Sequence, residues 1–537
     1  MPGRRSSTGR RIAGPPPGVA LAAPNHAAVV AGEQVAAAGG NAVDVALAAL
    51  LTATVSEPGV VSIGGGAFVT VSIPGRPPVT IDGSVAMPGR GLRMEPGSDG
   101  APAPGWGWRH VWMDYGGGTD MEVGHASVAT PGMLLAAELA QRRYGRLPWR
   151  EVVEPAAALS RTGFRLGAAS ARYLSHARDP VFGRDATAYA SLHHADGRPL
   201  QAGDTMYIPG LADFLDTVAA EGSAALHHGP VAKQLAADMA DNGGLITEAD
   251  LADYRPVVRR PLRVQTAGWT LDINPPPSVG GAVVAAMLAL MEGRPAGPWT
   301  DDDVAALVEV QRAVLGHRVR HLEAPAAREE QVRALLDSVA ESGPAWMRSP
   351  STVHVSAVDG AGGACAITAS SGYGAGVSIP GTGVWLNNCL GERELNRGGR
   401  GHLTPGERLI SNMTPTIGRK EDGSVLAIGS PGADRIASAV AQVLLGALNG
   451  GASWADAVAH PRVHVTCDDN GDPALVEHEA DLIPPRGAAS DLRWREHPAS
   501  SMFFGGVAVA ARTADGHLEA AADPRRQGSV VVLSRLA

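Results

Sequence analysis

A soluble α/β protein, too large for one ordinary compact domain, is what this sequence predicts, on three observations. Stretches with helical spacing of small and apolar residues are interleaved with short alternating runs such as Phe68-Val69-Thr70-Val71-Ser72. With 537 residues the chain has material for two lobes or one large layered domain. Its 45% hydrophobic and 18% charged content is that of a globular protein, and no segment approaches the roughly 18 uninterrupted apolar residues of a membrane span.

From Val29 to Thr54 small and apolar residues recur at helical spacing, consistent with a buried helix opening after the turn Gly39-Gly40, with Asn41 or Asp44 as its cap. Ser62-Ile63-Gly64-Gly65-Gly66-Ala67 leads into the strand Phe68–Ser72; the glycine spacing fits neither a Walker loop nor a dinucleotide fingerprint, so close backbone packing is expected. Helical patterns dominate Ser127–Leu251, and strands return at Leu262–Gln265 and Leu271–Ile273. Pro275-Pro276-Pro277-Ser278 is a rigid turn into a helix over Ala282–Leu290, and Glu323–Arg348 reads as a helix followed by an exposed linker.

The formal net charge of -9 is dispersed, without the basic face that phosphate backbones require, so nucleic acid is not an expected partner, nor is a membrane. Cys365, Cys389 and Cys467 are too few and scattered for a disulfide framework or a tetrahedral zinc site and read as core fillers. Residues 1–18 carry four arginines and then Pro15-Pro16-Pro17 where an export signal would have an apolar stretch; they read as a disordered tail, which makes the cytoplasm the expected location.

The clearest β signal is Thr352-Val353-His354-Val355-Ser356, closed by the turn-rich Asp359-Gly360-Ala361-Gly362-Gly363 and returned by Ala364–Ser370. A hairpin folded about residue 361 sets Thr352 across from Ser370, with Cβ atoms roughly 5 Å apart. A threonine hydroxyl is a poor nucleophile unless a base removes its proton, and a free α-amine on the same residue supplies one. An internal threonine gains that amine only if the preceding peptide bond is broken, and Ser349-Pro350-Ser351 is a suitable exposed place. By itself a Thr-x-His on a strand is an ordinary pair, with His354 a hydrogen-bonded structural residue.

The ordered motifs say more. Gly39-Gly40-Asn41-Ala42-Val43-Asp44, Glu57-Pro58, Ile63-Gly64-Gly65-Gly66, Gly243-Gly244-Leu245-Ile246-Thr247, Tyr254-Arg255-Pro256 and Pro275-Pro276-Pro277-Ser278 resemble, in order, signatures of the gamma-glutamyltransferase family. Ser351-Thr352-Val353-His354 is similar to its processing site, and Leu386-Asn387-Asn388, Gly429-Ser430-Pro431-Gly432-Ala433 and Ala522-Asp523-Pro524-Arg525-Arg526 follow. The resemblance spans about residues 19 to 535. It implies a four-layer αββα fold of N-terminal-nucleophile hydrolases, two stacked sheets between helix layers. It also implies a large subunit, 19–351, and a small one, 352–537, cut from one precursor. The implied roles are Thr352 as nucleophile, Ser370 as its supporting hydroxyl and the Gly432 and Ala433 N–H groups as oxyanion donors, without metal or organic cofactor.

Substrate-binding positions depart from the family. Ser84, in Asp82-Gly83-Ser84, stands where an arginine grips a glutamyl α-carboxylate, and a hydroxyl cannot replace a bidentate guanidinium. Gly372 replaces an asparagine, Glu392 an aspartate, and the paired serines are Ser411 and Asn412. Three readings follow for the small-molecule chemistry. One is an acyl hydrolase or transferase acting on a gamma-glutamyl or related amide. Another is a biosynthetic hydrolase of a non-glutamyl substrate, extending to carbon–carbon cleavage as in alkylproline formation; the third is a silent binding protein.

Overall fold

The computed structural model describes residues 18–92, 107–114, 118–293, 299–322, 328–339, 352–392, 395–396, 403–468, 470–485, 487 and 489–534. The amino-terminal tail up to residue 17 and the linker 340–351, including Ser351, lie outside the described residues.

Thirteen strands build the two main sheets: β1 (Val19–Ala23), β2 (Gly66–Ser72), β3 (Val79–Gly83), β4 (Val257–Arg259), β5 (Leu262–Thr266), β6 (Trp269–Ile273), β7 (Val353–Asp359), β8 (Ala364–Ser370), β9 (Thr416–Lys420), β10 (Val425–Gly429), β11 (Ala508–Arg512), β12 (Leu518–Ala522) and β13 (Ser529–Leu533). The first sheet runs β13-β1-β7-β8-β2-β3-β4 and the second β12-β11-β10-β9-β6-β5, antiparallel throughout.

Side-chain alternation stacks these sheets and covers them. Val353, Val355 and Ala357 of β7, with Cys365, Ile367 and Ala369 of β8, point into a core shared with the helices α1 (His26–Ala37), α2 (Ala42–Ser56), α3 (Met133–Tyr144) and α4 (Trp149–Thr162). The opposite faces meet the second sheet through Ala20, Val358, Ala364, Ala366, Ile417, Ala427 and Ala510, mostly small residues that let the sheets approach closely. Beyond the second sheet, α5 (Gly280–Leu290), α6 (Asp301–His317) and α7 (Arg435–Leu444) close the outer core. The architecture is therefore the expected αββα. No helix among the described residues is long and apolar enough to cross a membrane.

The helix expected to open after the glycine turn is α2: the turn holds Gly39 at φ +94°, and Asn41 caps the helix in a reciprocal box with Asp44, while the helical spacing before the turn belongs to α1. The helix expected from Glu323 is described only over Arg328–Val339. Glycine packing in the Gly64–Gly66 loop is as anticipated, since a Cβ would come within 2.3 Å of the Ser370 carbonyl at Gly65 and 2.7 Å of the Val85 nitrogen at Gly66.

The β7–β8 hairpin is pinned at its turn by Asp359, whose buried carboxylate accepts from the Ala361 and Gly363 N–H groups at 3.0 and 2.9 Å. It also accepts from the Ala42 N–H at 3.1 Å, which ties the hairpin to the positive end of α2. Asp359→Ala should leave these three amides, two of them on buried residues, without their acceptor and cost on the order of 2–4 kcal/mol, read as a lower urea midpoint, with Asp359→Asn intermediate. An unchanged midpoint in Asp359→Ala would show that the turn holds without its anchor.

Candidate active site

Hairpin register decides what faces the site. Val353 pairs with Ala369 and His354 with Thr368, so one residue further Thr352 stands opposite Ser370. By the same alternation Thr352, His354 and Ser356 face the second sheet, not the helices.

Thr352, 3% exposed, lies at the floor of a cleft of about 450 Å³ that opens to solvent. The cleft gathers Ser84, Ser370, Glu392, Ser411, Asn412 and Ala433 around it. Two of the anticipated residues stand just outside the lining. Gly372 donates its N–H to Ser370 Oγ at 3.0 Å, and Gly432 precedes Ala433 in the loop after β10.

That loop is built to present backbone. Ala433 holds a left-handed φ of +70°, a conformation costing about 1–2 kcal/mol for a residue with a Cβ. Gly432, at φ +122°, packs so tightly on Gly505 that a Cβ would come within 2.6 Å of its Cα. The Gly432 and Ala433 carbonyls accept from Arg435 and Ile436, whereas among the described residues neither N–H donates to an acceptor. Two amide donors are thus left beside Thr352, the arrangement that stabilises a developing oxyanion.

Two polar segments of the ordered motifs are braces. Asn387 donates to the Gly64 and Ala129 carbonyls and accepts from the Ala129 and Cys389 N–H groups, which fixes the segment carrying Cys389 and Glu392. Asn274 and Ser278 hold the Met413 carbonyl at 2.7 and 2.6 Å, so the proline-rich turn positions Ser411 and Asn412.

The cleft differs chemically from a glutamyl clamp. Ser84 Oγ donates to Asp82 Oδ1 at 2.7 Å, and Asp82 also receives Arg259 at 2.7 Å and Arg408 at 3.4 Å. Glu392 is the one charged side chain among the described lining residues; Val85, Leu395, Leu409, Ile410, Met413 and Ile436 make most of the rest apolar. The Asn412 amide is buried, and among the described residues neither its oxygen nor its nitrogen is hydrogen-bonded. Sequence reading placed Cys389 in the core; it is buried as expected but also lines the cleft, where burial and then the Glu392 carboxylate push its thiol well above the ordinary range. The apolar lining itself carried no sequence signal.

Gly372 and Glu392 prove to be a matched pair. A Cβ at Gly372 would sit 2.2 Å from Glu392 Oε1 and 2.4 Å from Asn388 Oδ1, so the longer Glu392 occupies room that a side chain at residue 372 would need.

His354 is fully hydrogen-bonded. Ser356 Oγ donates its one proton to the Ala508 carbonyl, so it accepts from His354 Nε2–H at 2.9 Å, and Thr368 Oγ1 donates to Nδ1 at 2.8 Å. Burial pushes the imidazole down to about 3, so the ring is neutral at physiological pH. It braces the two sheets, and its face lies against Gly429, where a Cβ would be 2.3 Å from Cε1. No three His, Cys, Asp or Glu side chains among the described residues converge as a metal site.

Comparison with known proteins shows the family of the chain and supports its fold. The family described as Gamma-glutamyltranspeptidase matches residues 28–533. The chain is 32% identical to the acylase ACY 1 proenzyme of Pseudomonas sp. (strain SE83) over 550 residues, covering 95% of this chain and 93% of that protein. It is 28% identical to the glutathione hydrolase proenzyme of Escherichia coli (strain K12), covering 79% and 77%. The solved cephalosporin acylase from Bacillus halodurans superposes with a TM-score of 0.76 over 99% of this chain and 98% of that one; at 22% identity this likeness speaks for the fold.

Two outcomes follow from the site. Gly372→Asn alone should lower stability by about 1–3 kcal/mol through overpacking, and Gly372→Asn with Glu392→Asp should recover the part due to Glu392, the contact with Asn388 Oδ1 remaining. Additive losses in thermal unfolding would show that the two positions do not share space. For His354, the unfolded chain takes up a proton near 6.5 that the folded chain refuses until about 3. Stability therefore falls as pH drops through this window, and His354→Gln should show a shallower slope there but a parallel curve above pH 7. Equal slopes between pH 4 and 6 would mean that the imidazole titrates freely.

Proposed function

Because the chain belongs to the gamma-glutamyltranspeptidase family, we propose that it is an amide acyl hydrolase or transferase, matured by scission before Thr352 and using that threonine as its nucleophile. The observation that carries this reading is the placement of Thr352 at the cleft floor, opposite Ser370 and beside the unbonded N–H groups of Gly432 and Ala433.

Scission begins with attack of Thr352 Oγ on the carbonyl carbon of residue 351. The C–N bond breaks, an ester forms, and water hydrolyses it, leaving a carboxylate on residue 351 and a free amine on Thr352. In turnover this amine accepts the Oγ proton as Oγ adds to the substrate carbonyl, and the Gly432 and Ala433 amides meet the oxyanion. The nitrogen leaves with the proton, and water or an amine then takes the acyl group from Thr352. Ser370 Oγ, held by the Gly372 N–H, keeps a second hydroxyl beside the nucleophile.

On the acyl side the reading is a non-glutamyl group. A glutamyl α-carboxylate needs a cation, and among the described lining residues the cleft offers Glu392 and none of the opposite sign. An acyl chain with an apolar body, and a polar group meeting the Asn412 amide or Glu392, fits what is there. The acylase and glutathione hydrolase names of the relatives describe those proteins; here they support amide hydrolysis as the reaction class.

Intact-mass measurement of purified protein should find two fragments, the smaller starting at Thr352, and Thr352→Ala should remain one chain. Ser370→Ala should lower turnover roughly 10- to 100-fold, the worth of one hydrogen bond to the reacting group. Scission persisting at this bond in Thr352→Ala would remove the nucleophile assignment.

A further inference from the structure

Thr352 has a second side. Beside it lies another cavity, to which Thr352, Glu57, His354, Met502, Asp523 and Arg526 contribute and which shares Thr352 with the cleft. Its rim residues Pro24, Ala169, Met502 and Arg526 are partly exposed, so the cavity has a way out to solvent.

The charges of this cavity are unevenly matched. Asp523 is buried and held by Arg462 at 2.6 Å and Arg525 at 3.2 Å. Glu57 is buried, with Asn25 and Ser170 donating to its two oxygens, and burial pushes its carboxyl above the ordinary range. His354 is neutral and bonded at both nitrogens. Arg526 is the exception. Its guanidinium is hydrogen-bonded to the Gly505 and Met502 carbonyls, both at 3.4 Å, and although its charge is felt by the Glu57 carboxyl, among the described residues it forms no ion pair within contact distance. Among the described lining residues of the two spaces, Arg526 is the one cation; it has capacity for a further acceptor, and it lies on the other side of Thr352 from Glu392.

We infer that this rear cavity receives the amine half of the scissile amide, and that the amine it takes carries a carboxylate, as an amino acid or aminobenzoate does, paired with Arg526. The inference rests on Thr352 being the nucleophile. A substrate lying across Thr352 places its acyl group in the front cleft and its nitrogen substituent toward Arg526. When the C–N bond breaks and the Oγ–C bond forms, the nitrogen takes the proton released by Oγ and departs through the rear. Glu392 in front and Arg526 behind fix which way round the amide binds, since the reversed pose would set a carboxylate against Glu392 and leave Arg526 without it.

The test uses the matured enzyme, Arg526→Met and Arg526→Lys, each checked for folding by thermal denaturation. In calorimetric titration, 4-aminobenzoate should bind the unmodified enzyme about tenfold or more tightly than 4-aminobenzamide, the same ring without charge. That preference should disappear in Arg526→Met and return in part in Arg526→Lys. In turnover, the kcat/KM ratio of N-hexanoyl-4-aminobenzoate to N-hexanoyl-4-aminobenzamide should fall by a similar factor in Arg526→Met; a ratio taken within each protein cancels any general loss of activity. Equal binding of the two amines by the unmodified enzyme, no binding of either, or a preference unchanged in Arg526→Met would overturn the assignment. Absence of turnover with both amides counts against the acyl-transfer reading, and the titration still decides the cavity.

Discussion

The register of the β7–β8 hairpin is the constraint from which the rest of the site follows. In a strand buried on both faces, a slip of one residue would send Thr352 toward the helices and Val353 toward the second sheet. Asp359 at the turn prevents this from one end, and the tight seating of Gly65 beneath the Ser370 carbonyl prevents it from the other. With the hairpin so fixed, the cleft, the neighbouring serine and the oxyanion loop arrive at Thr352 from separate parts of the chain without needing further adjustment.

The space between the sheets changes character along its length. Away from the site it is filled by alanines and short aliphatic residues. Toward the site it becomes a directed chain of hydrogen bonds from Thr368 through His354 and Ser356 to the Ala508 carbonyl. Such a chain is rigid because each donor has one acceptor, and it abuts Gly429, from which the oxyanion loop departs. Precise placement of that loop is thus a property of the sandwich interior, whereas Glu392 and Asn412 come to the cleft on segments braced from outside it, by Asn387 and by the Asn274–Ser278 turn.

Much of this was legible in the sequence where local chemistry and global position agree. The hairpin register, the glycine packing at Gly64–Gly66 and the convergence of Ser84, Ser370, Glu392, Ser411 and Asn412 could be read from turns, alternation and ordered motifs. The second sheet was harder. Ala508–Arg512 and Leu518–Ala522 are short and rich in alanine, a composition that favours helix, and they are strands because their neighbours and the opposing sheet demand it. The compensation between Gly372 and Glu392 was invisible as well, because each looks like a loss until the side chains are set in one volume. Arg526 could be seen only as part of a closing motif, since its significance depends on what it does not contact.

The strand order has a consequence for how the molecule endures. In the first sheet β1, from before residue 352, lies between β13 and β7, both from after it, while β8 is flanked by β7 and β2. A cut before Thr352 therefore divides the covalent chain without dividing the fold, and the two pieces share one hydrogen-bonded sheet. Before the cut, folding is a unimolecular event whose rate is indifferent to concentration. After it, any unfolded molecule must find its other half by diffusion, so assembly becomes second order and recovery from denaturation is governed by dilution. The native state of the cleaved protein would be inherited from its precursor, and its lifetime would depend on the barrier to leaving it more than on the ease of returning.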